Sequence, residues 1–198
     1  MNDQGDGLER VWMLLEAGRT EAALTELHIR LSADPHDARA LHLLSECHQR
    51  KGEAQPAYEA AMASVAASPD DPESHAQAGW SLLLLGRADT ALSAFTEAIR
   101  LDPWGAHHFA HRALAHAARL DRRKAEADIA RARELRPHDA QVVSIHGQVL
   151  TLLGRTPASE EGAVAMLLGF RPAALILLSP VVRAAVLARA ARRRDAEG

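Results

Sequence analysis

Proline recurs every 34 residues in this chain, at Pro35, Pro69, Pro103 and Pro137. Proline is about one residue in twenty, so three further hits at one fixed step arise by chance on the order of once in 8,000. The same step joins Gly18, Gly52, Gly86 and Gly154, with Leu120 in the slot that lacks glycine. It also joins Ala23, Ala57, Ala91 and Ala125, followed by Ser159. A period of this length marks a stack of similar units, each too small to bury its apolar face alone.

The chemistry of each slot fits a helix pair. Glycine accepts positive φ and so closes a first helix and makes the turn. The alanine five residues later sits where the second helix crosses the first. Its counterpart on the first helix is small in four units (Ser45, Gly79, Ala113 and Gly147), which lets the backbones approach. Proline then ends the second helix, because it lacks an N–H donor and restricts the residue before it. Composition agrees: 47% of residues are apolar but only 4% are aromatic, which suits close-packed helices better than a sheet.

These residues carry a family resemblance. The stretch SLLLLGRADTALSAFTEAIRLDP (81–103) resembles the second half of a tetratricopeptide repeat (TPR), and the 34-residue period is that family's. The resemblance implies an all-α, right-handed superhelical solenoid of about five helix-turn-helix units over residues 1–172. Its repeats are 4–35, 38–69, 72–103, 106–137 and 140–172. Residues 173–198 then form a C-terminal capping helix and tail. Position 7 of the repeat, usually large and apolar, departs from the pattern at Arg10, Arg112 and His146.

By the same resemblance, first helices line a concave groove through repeat positions 2, 5, 9 and 12, with position 6 beside them. The partner-binding residues implied are Trp12 and Leu15, then His42, Glu46 and Gln49, then Glu73, Ala76, Trp80 and Leu83. The fourth unit adds His107, Ala110, His111 and Leu114. A groove tryptophan is an anchor for a partner's side chain, although each can instead fold back onto a neighbouring helix. Trp104, at a helix start, reads as a packing residue. The stretch WGAHHFAHRALAH (104–116) raises a metal question, since His107 and His111 stand at i, i+4 and His108 and His111 at i, i+3. On the repeat grid, His116 and His108 read as packing residues. Only His107 and His111 reach the groove side, with Glu73 one repeat away. That leaves no complete ligand set, so no metal and no cofactor is expected, and a polar, pH-sensitive wall is the better reading.

The functional expectation is a non-enzymatic protein–protein interaction module that takes a partner peptide or helix in its groove. No phosphate loop, no HExxH and no nucleophile with a base is present. Net charge is −3, and the basic run Arg119, Arg122, Arg123 and Lys124 reads as a solvated turn, so nucleic acid is not expected. Family members that clamp the C-terminal carboxylate of Hsp70 or Hsp90 use Lys, Asn and Arg. Here the matching residues are Leu8, Trp12, Leu43, Glu73 and Gln77, which offer no cation. Cys47 is the single cysteine and MNDQGDGLER lacks the pattern of a signal peptide, so a cytoplasmic location is expected. Charge is uneven. Residues 1–68 hold 6 basic and 11 acidic groups, whereas 162–194 hold six arginines and no acid. The tail 173–198 is apolar and basic, interrupted at Ser179-Pro180. Three readings stand for it: a cap, a homo-oligomer contact in a self-assembling scaffold, or a membrane-surface adaptor.

Overall fold

The computed structural model describes residues 6–154. Within them the order is α1 (Asp6–Glu16), α2 (Thr20–Ala33), α3 (Ala38–Lys51), α4 (Ala54–Ala67), α5 (Pro72–Leu84), α6 (Ala88–Leu101), α7 (Ala106–Ala118), α8 (Arg122–Leu135) and α9 (Ala140–Leu152). Thr156-Pro157, the close of the fifth unit at Pro172 and the tail 173–198 lie outside the described residues.

The sequence slots act as expected. Each second helix stops two residues before its proline, at Ala33, Ala67, Leu101 and Leu135. The intervening cap residue leaves the helical region in all four units and is extended at Asp34 and Asp102, as proline's restriction on the preceding residue requires. The turn glycines Gly18, Gly52, Gly86 and Gly154 have φ between +71° and +76°, and Leu120 is forced to +62° in the same slot. Asp37, Asp71 and Asp139 open three first helices by accepting backbone N–H groups of the first turn. The fourth unit has Gly105 there and makes no side-chain cap.

Ala23, Ala57, Ala91 and Ala125 are fully buried where the paired helices cross. Ser45 Oγ donates to Ala57 O across one crossing at 2.8 Å. The third unit differs in detail. The space above Gly79 is filled by the Phe95 ring, and a Cβ on Gly79 would stand 2.7 Å from Phe95 Cε1.

Units then stack in sequence. First helices touch first helices (α1 with α3, α3 with α5, α5 with α7, α7 with α9), and each second helix packs on the next unit's first helix. That arrangement puts the odd-numbered helices along one side. Two apolar cores result, one in α1–α3 around Leu15, Leu27 and Leu43, the other in α5–α9 around Phe95, Ile129 and Val142. Between them the second and third units join through buried polar groups. Ser64 Oγ lies 2.7 Å from Ser74 Oγ, and Gln49 Nε2 donates to Ser81 Oγ at 3.0 Å.

Candidate functional site

An open concavity of about 410 Å³ lies where α1, α3 and α5 meet. It is lined by Trp12, Ala38, Arg39, His42, Leu43, Ser68, Asp71 and Glu73. Trp12 is 42% exposed. The Arg39 side chain is exposed, and no carboxylate among the described residues pairs with it. His42 Nε2 lies 3.4 Å from the Gln77 side-chain amide, which fixes the ring against α5. Asp71 spends its carboxylate on the N–H groups of Glu73 and Ser74, so Glu73 is the acid of this wall that no backbone donor holds. The groove thus offers an indole face, one cation and one anion. Of the residues expected in the groove, Trp12, His42 and Glu73 are brought together here.

The others are placed differently. Leu15, Ala76, Leu83, Ala110 and Leu114 are buried, and they form the packing beneath the first helices rather than surface. The cause is spacing: a helix meeting both its own partner and two neighbouring units keeps only a narrow exposed stripe. Glu46 is held by Arg50 at 2.6 Å. Gln49 is occupied in stitching α3 to α5 through the Gln77 carbonyl and Ser81. Trp80 is half-buried and packs on His111, with ring centroids 5.1 Å apart. Trp104, expected to pack, is instead 71% exposed, with the Arg131 guanidinium 5.7 Å from its ring centroid.

The four clustered histidines have four different settings. His107 Nε2 is 3.5 Å from Asp139, the cap of the next unit. His108 is buried, with Nε2 3.7 Å from both Glu73 and Asp102 and neither ring nitrogen hydrogen-bonded. The acid read as a neighbour of the groove-side pair therefore approaches His108. His111 lies between Trp80 and Phe95, and burial, then the nearby His107 and His108, push its pKa down to about 3. It is a neutral packing ring across the pH range of most assays. His116 is also held below its ordinary value by burial, which outweighs the pull of Asp128 and Asp121. No group of three histidine, cysteine or carboxylate side chains among the described residues is arranged to hold a metal ion.

No protein-family model and no curated protein matches the sequence. Solved structures do. The thermophilic TPR protein TTC0263 from Thermus thermophilus is 26% identical, with TM-score 0.70 over 92% of this chain and 98% of its own. PilW, a type IV pilus biogenesis factor, is 18% identical, with TM-score 0.70 over 100% of this chain and 93% of its own. The TPR protein YrrB is 18% identical, with TM-score 0.56 over 89% of this chain and 88% of its own. The described residues form a TPR-like solenoid.

Two further features of the array bear on its chemistry. Cys47 is buried, and burial, then the Glu46 charge, raise its thiol to about 11. It stays protonated and is no nucleophile. The arginines that break the pattern at repeat position 7 pair with an acid sixteen residues on. Arg112 holds Asp128 through two bonds of 2.8 Å, and Arg10 holds Glu26 at 2.9 Å. Opposite charges at i, i+16 in a 34-residue repeat were the sequence signal for this helix-to-helix link. No helix among the described residues is long and apolar enough to cross a membrane.

Proposed function

We propose that this array is a non-enzymatic interaction module that binds a peptide or helix of a partner protein in the groove framed by Trp12, Arg39, His42 and Glu73. The observation that carries it is an exposed indole beside an unpaired guanidinium in an open groove of about 410 Å³. An aromatic anchor with a nearby charge is the usual make-up of a binding hot spot. The ligand that fits is a segment with a large apolar side chain for Trp12 and a carboxylate for Arg39. The description of YrrB as having an unusual peptide-binding site supports the reading. The exposed edge of Trp80, with His107 and His111, extends the proposed surface toward the fourth unit. A sequence with a single cysteine suits a reducing compartment such as the cytoplasm.

The test is a peptide-array screen, followed by fluorescence anisotropy with the best binder. Trp12→Ala and Arg39→Glu each weaken binding at least about tenfold, because hot-spot truncation costs about 2 kcal/mol or more. Trp80→Ala probes the far end of the groove. Affinity unchanged in both Trp12→Ala and Arg39→Glu moves the site elsewhere.

A further inference from the structure

The repeat register exposes a binding face that the groove does not use. Met13, Cys47, Ser81, Ala115 and Val149 occupy one repeat position on successive first helices. In the last four units that position is completely buried. The unit ahead covers it, as the bond from Gln49 in α3 to Ser81 in α5 records. Met13 alone is open, 65% exposed, and among the described residues no helix packs on that side of α1. Glu9 and Glu16 flank it at i−4 and i+3, on the same helix face. Both are exposed and neither is in an ion pair among the described residues. The first unit therefore presents a stacking face that is apolar at its centre and acidic at its edges.

A repeat end that is not to be docked is normally polar throughout. The chemistry that complements this face is in the same chain. Residues 162–194 carry six arginines and no acid, and 173–178 are apolar at every position. We infer that the Glu9–Met13–Glu16 face of one copy docks the C-terminal apolar, arginine-rich segment of a second copy. Different surfaces meet in such a contact, so it is heterologous and propagates head to tail into a ring or an open chain. α1 packs on α2 and α3, at the opposite end of the stack from Gly154, where the C-terminal segment departs.

Sedimentation velocity of the full chain over a wide concentration range tests this. Three arms are compared with wild type: Met13→Ser, the pair Glu9→Lys with Glu16→Lys, and the triple Arg192→Glu, Arg193→Glu, Arg194→Glu. Met13, Glu9 and Glu16 are exposed, so those variants keep the fold, which circular dichroism verifies. The expected result is a mass that rises with concentration and falls with added salt. Self-association weakens at least tenfold in each arm, and mixing the two charge-reversed chains restores it. A wild type that is monomeric at every concentration overturns the inference. So does association that both charge reversals leave intact, or a mixture that fails to recover.

Discussion

Two departures from the repeat pattern in the fourth unit explain each other, and their coupling can be measured. His108 stands where the other units place Ala40, Ser74 and Val142, and Gly105 where they place Asp37, Asp71 and Asp139. A Cβ on Gly105 would lie 2.2 Å from His108 Cδ2, 2.6 Å from its Nε2 and 2.7 Å from Asp102 Oδ2. The buried imidazole thus occupies the volume of the missing cap. Gly105→Asp alone gains a few tenths of a kcal/mol as an N-cap. It loses about 1–3 kcal/mol to overpacking, because a ring only 1% exposed cannot swing away. His108→Ser alone gives up the buried ring but also removes two ring nitrogens that make no hydrogen bond, which cost about 1–3 kcal/mol in a buried site. It comes out within about 1 kcal/mol of the parent.

The double variant rebuilds the third unit's arrangement. There Asp71 accepts from Ser74 N at 3.0 Å and from Ser74 Oγ at 2.6 Å. The clash with the ring disappears, the half-exposed Asp102 carboxylate is left to shift outward, and a cap is added, so the two changes couple favourably by about 2 kcal/mol. For a domain of this size 1 kcal/mol moves Tm by about 2–4 °C. Thermal unfolding followed by circular dichroism is therefore expected to fall by about 4–8 °C in Gly105→Asp and to return within about 3 °C of the parent in the double variant. Additive losses, with the double variant no better than the sum of the singles, would refute the steric account.

Leu120 has a left-handed φ of +62° and is 67% exposed, so Leu120→Gly removes strain without losing packing. The left-handed conformation costs about 1–2 kcal/mol and glycine's extra unfolded-chain entropy returns about half, so Tm rises by a few degrees; a lower Tm contradicts this. The two position-7 ion pairs differ in burial, with side-chain exposures of 21% and 11% for Arg112–Asp128 against 65% and 33% for Arg10–Glu26. Asp128→Ala is accordingly expected to cost about 2–3 kcal/mol and Glu26→Ala less than about 1 kcal/mol by chemical denaturation, and equal losses would deny the role of burial. His111, His116 and His146 are all held below the ordinary histidine value by burial, His111 to about 3. Between those lowered values and about 6.5 the unfolded chain binds more protons than the folded one, so stability falls as pH drops through that window. His111→Phe keeps an aromatic ring between Trp80 and Phe95 and is expected to flatten the acid limb; an unchanged pH slope means His111 does not titrate on unfolding.

The fold was legible because it depends on residues that act through the backbone. A proline ends a helix and a glycine makes a left-handed turn whatever surrounds them, so four copies of each fix the unit and its boundaries. Leu120 shows the strength of that logic: the slot imposed φ of +62° on a residue that resists it. The groove was less legible, because exposure there depends on how far each unit rotates over the last. Leu15 and Ala110 occupy expected groove positions yet are fully buried, since a small shift of the stripe puts them against a neighbouring unit. The tryptophans changed places for the same reason. Trp80 met an imidazole on the next first helix and packed on it, whereas Trp104 is left 71% exposed with the Arg131 guanidinium over its ring.

Departures from the repeat turn out to carry more about function than the repeat does. Shared positions are consumed by folding: the crossing alanines are fully buried, the capping aspartates spend their carboxylates on backbone N–H groups, and the turn glycines have no side chain to offer. What distinguishes this array is what the pattern does not require. The second unit contributes Arg39 and His42 to the groove, and Arg39 has no partner of its own among the described residues. The first unit leaves open a position that every later unit closes, and places two unpaired glutamates beside it. Each of these groups lowers the free energy of the fold little or not at all. A guanidinium left in water beside an indole, and a methionine left uncovered between carboxylates, gain their free energy only when something else arrives to cover them.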